Sequence, residues 1–320
     1  MKIWSRNEIM ARFHPERARR AIERGFIAYS SRAATVPPIQ NFQFDSANGD
    51  CCVKSAHVNG VDTFAVKVAT GFYDNPKRGL PSNNGLILLF SALTGEPVAL
   101  LQDEGWLTAV RTALAGQIVA QLLAPRRVEA IGILGTGVQA RLQLEFLLPV
   151  TACRKVYVWG RNGIDCDRFK DEMSQFGFDV EPTESPRILA SNANLIVTAT
   201  PSRSALLDAD WIRPGTHITA VGADAPGKQE LDPQTFARAG TVVVDSVDQC
   251  SKYGEASYAL KAGLIRSESL LELGCLLQSG NRVRDDDPGL ITVADLTGLA
   301  VQDAAIANAI IAEPCFEGSH

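Results

Sequence analysis

An apolar run, Ala130-Ile131-Gly132-Ile133-Leu134, passes without interruption into Gly135-Thr136-Gly137-Val138-Gln139-Ala140 and then into a segment of helical periodicity. Nothing else in the chain restricts the fold so tightly. In a strand–turn–helix unit of this spacing the first glycine permits a tight turn, and the second lets an anion approach the backbone N–H groups at the helix start. The small third residue keeps helix and strand close. The six residues from Gly135 to Ala140 are therefore expected to cradle a dinucleotide pyrophosphate on a parallel sheet.

The surrounding pattern agrees. Beyond Pro125, apolar runs at 130–134, 156–159, 195–198, 218–221, 242–244 and 290–294 alternate with segments of helical length. That alternation predicts a doubly wound, Rossmann-type parallel sheet covered on both faces. Before Pro125 the pattern is different. Helical spacing from Ile9 to Ile27 gives way at Pro37-Pro38 to short strands expected at 51–58, 63–69, 86–91 and 98–102, bounded by turns such as Asn59-Gly60. An Ala-rich helix over 106–123 follows, and a last apolar helix over 299–311 is expected to return to the N-terminal part. The expected organisation is an α/β chain with an N-terminal α+β domain over 1–124, completed by 299–320, and a Rossmann domain over 125–298.

The 320 residues carry 31 Lys and Arg against 36 Asp and Glu, with 46% hydrophobic residues, values of a soluble globular chain of about two domains that exclude disorder, collagen and coiled coil. Basic residues are scattered, so no nucleic-acid footprint is expected. No stretch reaches the ~18 apolar residues that a membrane span needs. Residues 1–20 are charged and amphipathic without a signal-peptide core, which points to a cytoplasmic protein. None of the seven cysteines forms a CxxC pair, and His14, His57, His217 and His320 are far apart, so neither a disulfide framework nor a metal site is expected. Asp285-Asp286-Asp287 reads as a solvated turn.

The second strand of the sheet ends in Gly160-Arg161-Asn162, where a site preferring NAD places a carboxylate for the ribose hydroxyls. Arg161 can instead pair with a 2'-phosphate, which favours NADP(H) over NAD(H); the alternative is a solvated surface arginine. Thr200 and Ser202, after another strand's carboxyl end, are either cofactor-lining or turn residues. Three further residues stand out chemically. Lys67 lies within apolar Phe64-Ala65-Val66-Lys67-Val68-Ala69, where a cation is costly without a task or partner. Arg111 puts a planar guanidinium on an otherwise apolar helix face. Asp224 follows the strand at 218–221, at the edge where such sheets bind ligands; it is either a proton-transfer group or a turn residue before Pro226-Gly227.

Taken in order, Lys67-Val68, Asn75-Pro76, Gly79-Leu80-Pro81, Thr94-Gly95-Glu96-Pro97, Leu107-Thr108-Ala109-Val110-Arg111-Thr112-Ala113, the glycine turn and Ala220-Val221-Gly222-Ala223-Asp224 resemble the ornithine cyclodeaminase/mu-crystallin family over nearly the whole chain. The resemblance implies an NAD(P)-dependent enzyme working at the carbon–nitrogen bond of a small amino or imino acid. It also implies a homodimer whose N-terminal domains bind substrate and join their sheets. By the same resemblance Lys67 and Arg111 contact substrate, Asp224 is the acid/base, Ser82 hydrogen-bonds the substrate carboxylate, and Asp295, Thr297 and Gly298 lie near the nicotinamide. Three departures bear on the substrate, one being Ile39 or Gln40 in place of an arginine often found after the Pro-rich entry. Lys54-Ser55 stands where many relatives have Met-Pro, and Cys52 replaces a carboxylate of the ornithine enzyme. Lys54 thus suits an anionic or neutral substrate side chain, or else faces outward from its strand. The favoured reading is an NADPH-dependent imino-acid reductase. The alternatives are a cyclodeaminase and a crystallin-like NADP-dependent binding protein.

Overall fold

In the computed structural model, which describes residues 1–280, 283–284 and 287–312, the chain divides inside a helix rather than at Pro125. One unit comprises Met1–Arg111 with Ala300–His320, the other Thr112–Leu299. The proline-bounded helix exists as expected, Trp106–Leu123. A proline ends a helix by removing a backbone donor, but the side chains packed around each turn decide which core that turn joins, so the division falls between Arg111 and Thr112 instead of at 124/125. Asp285, Asp286 and His320 lie outside the described residues.

The first unit holds β1 (Lys2–Ser5), β2 (Ala34–Thr35), β3 (Gln40–Phe44), β4 (Gly49–Val58), β5 (Thr63–Phe72), β6 (Asn83–Ser91) and β7 (Pro97–Gln102). The sheet order is β1-β7-β6-β5-β4-β2, with β3 also paired to β4. The expected strands form its antiparallel centre. β1 corrects the reading of residues 1–20: Lys2–Ser5 pairs in parallel with β7 before Ser5 and Glu8 close a capping box on helix α1 (Arg6–Arg12). Ala56, Ala65, Ile87, Leu89 and Leu101 form a buried face of the sheet. The C-terminal helix, Ala300–Ile311, packs on β4, β5 and helix α2 (Pro15–Ser30). Apolar almost all round, it is a core helix. Arg12 anchors its end by donating to the carbonyls of Ile310 at 2.9 Å and Ala312 at 2.8 Å, which satisfies acceptors that the last turn leaves open. On alternate positions Val53, Val66, Val68 and Leu88 are half-buried, and the rings of Phe64 and Phe90 stack at 5.1 Å.

The second unit holds β8 (Ile131–Leu134), β9 (Lys155–Trp159), β10 (Asp179–Pro182), β11 (Leu195–Thr198), β12 (Arg203–Leu207), β13 (His217–Ala220), β14 (Gln229–Leu231), β15 (Thr241–Val244), β16 (Leu270–Glu272) and β17 (Thr292–Asp295). Eight strands form one sheet in the order β10-β9-β8-β11-β13-β17-β15-β16, all neighbours parallel, and β12 pairs with β14. Both faces are covered. Ile131 and Ile133 pack with Leu144, Val158 and Phe169, while Ala130 and Leu134 pack with Ile196, Ile218 and Phe236. This explains why strands such as β8 read as continuous apolar runs. Winding reverses between β8 and β11. No described helix is long and apolar enough to cross a membrane.

Candidate active site

β8 delivers the glycine turn to the carboxyl edge of the sheet, beside the end of β11, at the reversal point where open α/β sheets bind ligands. Gly135 has φ +113°, and a Cβ there would stand 2.6 Å from the Ala199 carbonyl oxygen, so the turns after β8 and β11 can meet only because position 135 lacks a side chain. Gly137 is the N-cap of helix α4 (Val138–Phe146), offers no capping side chain, and a Cβ there would meet nothing within 4 Å. A helix start with open donors and free space before it fits a dinucleotide pyrophosphate. Thr136 and Gln139 are half-buried beside it, Val138 is exposed, and Ala140 is fully buried against the strand. Arg141, which sequence reasoning missed, donates to the carbonyls of Thr136 and Gly137 and pairs with Glu172, stiffening the turn. Arg161 is exposed just past β9. Asn162 caps the helix Gly163–Ser174 by accepting from Ile164 N at 3.1 Å.

The loops after β11 and β13 are tied together by Glu230, a residue with no signal in the sequence. Wholly buried, its carboxylate accepts from Thr198 Oγ1 at 2.7 Å, Thr200 N at 2.6 Å and Gly222 N at 2.9 Å. Burial outweighs these bonds and pushes the carboxyl up to about 7. Glu255 accepts in turn from the backbone of Glu230 and Leu231, and burial with the nearby charges of Glu230 and Asp295 raises its carboxyl well above the usual range. The Thr200 and Ser202 hydroxyls are used locally: Thr200 Oγ1 accepts from Ser202 N at 3.3 Å, and Ser202 Oγ donates to Ser204 O at 2.6 Å. Asp224 stands on the loop after β13, about half exposed, with Lys228 Nζ 2.6 Å from Oδ1.

Asp295 and Thr297, expected near the nicotinamide, both have partners inside the fold. Asp295 ends β17 fully buried and accepts from Ala256 N at 2.9 Å; burial raises it to about 7. Thr297 Oγ1 donates to Asp245 at 2.9 Å, and Gly298 N does so at 2.6 Å. Both side chains hold the loop from within, because a buried polar group without a partner is costly.

In the first unit, antiparallel register places Lys54 on β4 directly opposite Lys67 on the central strand β5. The two side chains therefore share a face. Lys67 is buried, with Nζ 2.9 Å from Asp303 Oδ2; Arg111, also buried, has Nε 3.1 Å from Asp303 Oδ1 and donates through Nη1 to Gln302 Oε1 at 2.9 Å. Asp303 and Gln302 are polar residues inside the mostly apolar helix Ala300–Ile311, so the reasoning that singles out Lys67 in its strand applies to them too. Burial holds Lys67 down, to about 8, although Asp303 pulls the other way. Burial also acts to raise Asp303, but the fields of Lys67, Arg111 and Lys54 outweigh it and keep that carboxyl below its usual value. Asp103, buried before the helix Trp106–Leu123, accepts from Leu107 N at 2.7 Å; burial raises it to about 6 against the field of Lys67. Ser82 is half-buried just before β6, its carbonyl accepting from Phe72 N at 2.7 Å. No group of three or more His, Cys, Asp or Glu among the described residues could hold a metal ion.

A doubly wound sheet with an open glycine turn at its reversal point defines an α/β enzyme of the nicotinamide-dependent class. Residues 2–315 match the ornithine cyclodeaminase/mu-crystallin family, and the chain belongs to it. An uncharacterized cyclodeaminase of Sinorhizobium fredii is 42% identical over 280 residues, covering 86% of this chain and 84% of that one. The iminosuccinate reductase of Paracoccus denitrificans is 32% identical over 97% of this chain and 96% of its own length. Among solved structures, Thermococcus litoralis Delta(1)-pyrroline-2-carboxylate reductase in complex with NADH and L-proline superposes with a TM-score of 0.89 at 30% identity, covering 97% of this chain and 96% of that one.

Proposed function

We propose that the protein is a nicotinamide-dependent oxidoreductase acting on the α carbon–nitrogen bond of a small amino or imino acid, working as an imino-acid reductase. The observation that carries this reading is the pairing of functions within one family chain: an open pyrophosphate turn at Gly135–Ala140 and a buried cationic cluster at Lys67 and Arg111. When bound, the nicotinamide supplies hydride in the reductive direction and accepts it in the oxidative one. Arg111 and Lys67 bind the substrate carboxylate, with Asp303 fixing both cations. Ser82 adds a hydroxyl to that carboxylate. Asp224 gives a proton to the imine nitrogen or takes one from the amine, and Lys228 holds its carboxylate until substrate arrives. Backbone donors at the start of α4, with Thr136, Val138 and Gln139 around them, bind the pyrophosphate, while Asn162, Thr200, Ser202 and Gly298 shape the loops beside it.

Arg161 favours NADP(H): an exposed guanidinium just past β9 can form a charge-assisted pair with a 2'-phosphate. The first unit is the substrate and dimerisation domain. Its half-buried apolar sheet face, around Val66, Val68, Leu88 and the Phe64–Phe90 stack, suits pairing with a second copy. The test is NADPH oxidation with pyruvate plus amines, pyrroline-2-carboxylate, piperideine-2-carboxylate and the imines of 2-oxo diacids, beside ammonia release from ornithine. Reduction of at least one imine, without ammonia release from ornithine, is expected. Ammonia release alone would move the chain to the cyclodeaminases, and no turnover with any of them would leave a ligand-binding protein.

A further inference from the structure

We infer that Glu230 is a positioning residue, whose carboxylate clasps the loop carrying Asp224 onto the turns that receive the dinucleotide and so sets where the proton is delivered. The inference rests on the acid/base role given to Asp224 above and adds what holds that side chain in place.

The loop over 221–228 joins β13 to β14 and bears Asp224 and Lys228. Asp224, Pro226 and Gly227 in its middle are exposed, so its place is set from its ends. Glu230, on β14, turns its side chain back to the loop's start, where Oε2 accepts from Gly222 N at 2.9 Å. The same oxygen accepts from Thr198 Oγ1 at 2.7 Å, and Oε1 accepts from Thr200 N at 2.6 Å. One buried carboxylate therefore closes the loop on itself and joins it to the end of β11, the strand beside β13. Gln229 N adds a second tie to the same segment by donating to Ser202 O at 2.8 Å.

A Cβ at Gly222 would overlap both the Thr200 carbonyl oxygen and the Glu230 carboxylate, so the loop comes this close only because the residue has no side chain. On their other side, Ala199 and Thr200 meet the pyrophosphate turn at Gly135. The turns after β8, β11 and β13 thus form one connected assembly, with Glu230 at its centre. Glu255 holds Glu230 from behind, accepting from its backbone N at 2.6 Å and from Leu231 N at 3.1 Å. Wholly buried, Glu230 acts through the loop rather than on a ligand. An apolar residue at 230 would fill the space but leave the N–H groups of Thr200 and Gly222 without an acceptor. A proton-transfer group works only within hydrogen-bond reach of the atom it serves, and a misplacement of about 1 Å costs as much as about 10²-fold in rate.

Glu230→Gln tests this, since it keeps the shape but sets an NH2 group against one of the two backbone donors. With an imine that the parent protein reduces, kcat should fall about tenfold or more while KM and NADPH affinity stay within about threefold. In an Asp224→Asn background the same change should cost less than about twofold, because the loop then carries no proton-transfer group to misplace. Thr198→Val leaves the carboxylate and removes one of its donors, and it should show the same dependence on Asp224 with a smaller loss of about threefold. Hydrogen exchange gives a reading free of turnover: the amides of residues 222–228 should exchange about tenfold or more faster in Glu230→Gln, with those of β8 unchanged. Equal loss of kcat with and without Asp224 makes Glu230 a structural acid and overturns the inference. So does an unchanged kcat, or unchanged exchange in the loop. If the parent protein reduces no imine, the reductase reading falls, and loop exchange alone decides the clasp.

Discussion

At Asp224 the structure shows a carboxylate on an exposed loop whose near partner is Lys228 at 2.6 Å. Asp224→Asn keeps the shape and removes the proton-transfer group. Turnover should fall by roughly 10² to 10⁴, with cofactor binding intact and an altered pH profile of kcat. An unchanged kcat and profile would make Asp224 a turn residue. Arg161 admits an equally sharp test, because only NADPH carries the phosphate it is proposed to hold. Arg161→Ala should raise the dissociation constant of NADPH by roughly tenfold or more while that of NADH hardly moves, since one charge-assisted bond of ~1.5 to 3 kcal/mol is lost. Fluorescence titration gives both constants, and equal weakening of the two cofactors defeats the NADP preference. Lys67 and Arg111 were legible in the sequence as cations in apolar surroundings, whereas the placement of Asp303 between them was not.

The strand–turn–helix element separates folding from binding at two glycines one residue apart. A side chain at Gly137 enters open space at φ −84°, a backbone value that any residue adopts. Gly137→Val should therefore leave the melting temperature within about 2 °C of the parent and weaken dinucleotide affinity at least about tenfold, because its methyl groups occupy the approach to the donors of α4. Gly135→Ala should do the reverse at the level of folding: φ +113° and a carbonyl oxygen 2.6 Å away make it destabilising by about 1 to 3 kcal/mol. Thermal melts beside cofactor titrations distinguish the two, and a destabilised Gly137→Val would mean that the space before α4 is needed by the protein itself. The element was visible in the sequence because glycine spacing and apolar runs are local signals. Strands such as β1 and β16 were not, since three or four residues carry too little periodicity to separate a strand from a helix start.

The molecule as a whole carries an unusual set of buried acids, and they set its pH response. Unfolded, Glu230 and Asp295 titrate at 4.5 and 3.8; folded, burial raises both to about 7, and Glu255 moves the same way. The native state then binds more protons than the unfolded chain, so their contribution is fully present at low pH and is lost as pH rises through the folded values. His217 acts oppositely: burial lowers it from 6.5 to about 3, so its contribution is present above 6.5 and lost as pH falls. Lys67, lowered by burial from 10.5 to about 8, loses stability as pH falls through that higher interval. From about pH 6.5 to 7.5 the acids dominate the change, and the melting temperature should decline across that window at constant ionic strength. Calorimetry checks this, and a rise across the window would show that these carboxyls are ionised in the folded protein throughout.

Local rules were enough for the class of this protein. A parallel sheet buried on both faces requires apolar runs, and a pyrophosphate turn requires glycine at set positions, so β8, β11, β13 and the turn at Gly135 could be read without a structure. What holds the site together could not. Asp303 reaches Lys67 and Arg111 from the far end of the chain, and Gln302 meets Arg111 across 191 residues. Glu230 joins two loops through backbone donors. Burial drives these contacts: a desolvated cation or carboxylate takes whatever partner the fold brings near, and no sequence spacing encodes which partner that is. The division at Arg111 and Thr112 has the same origin, because one continuous helix is shared between two cores. Tertiary packing alone decided those pairings.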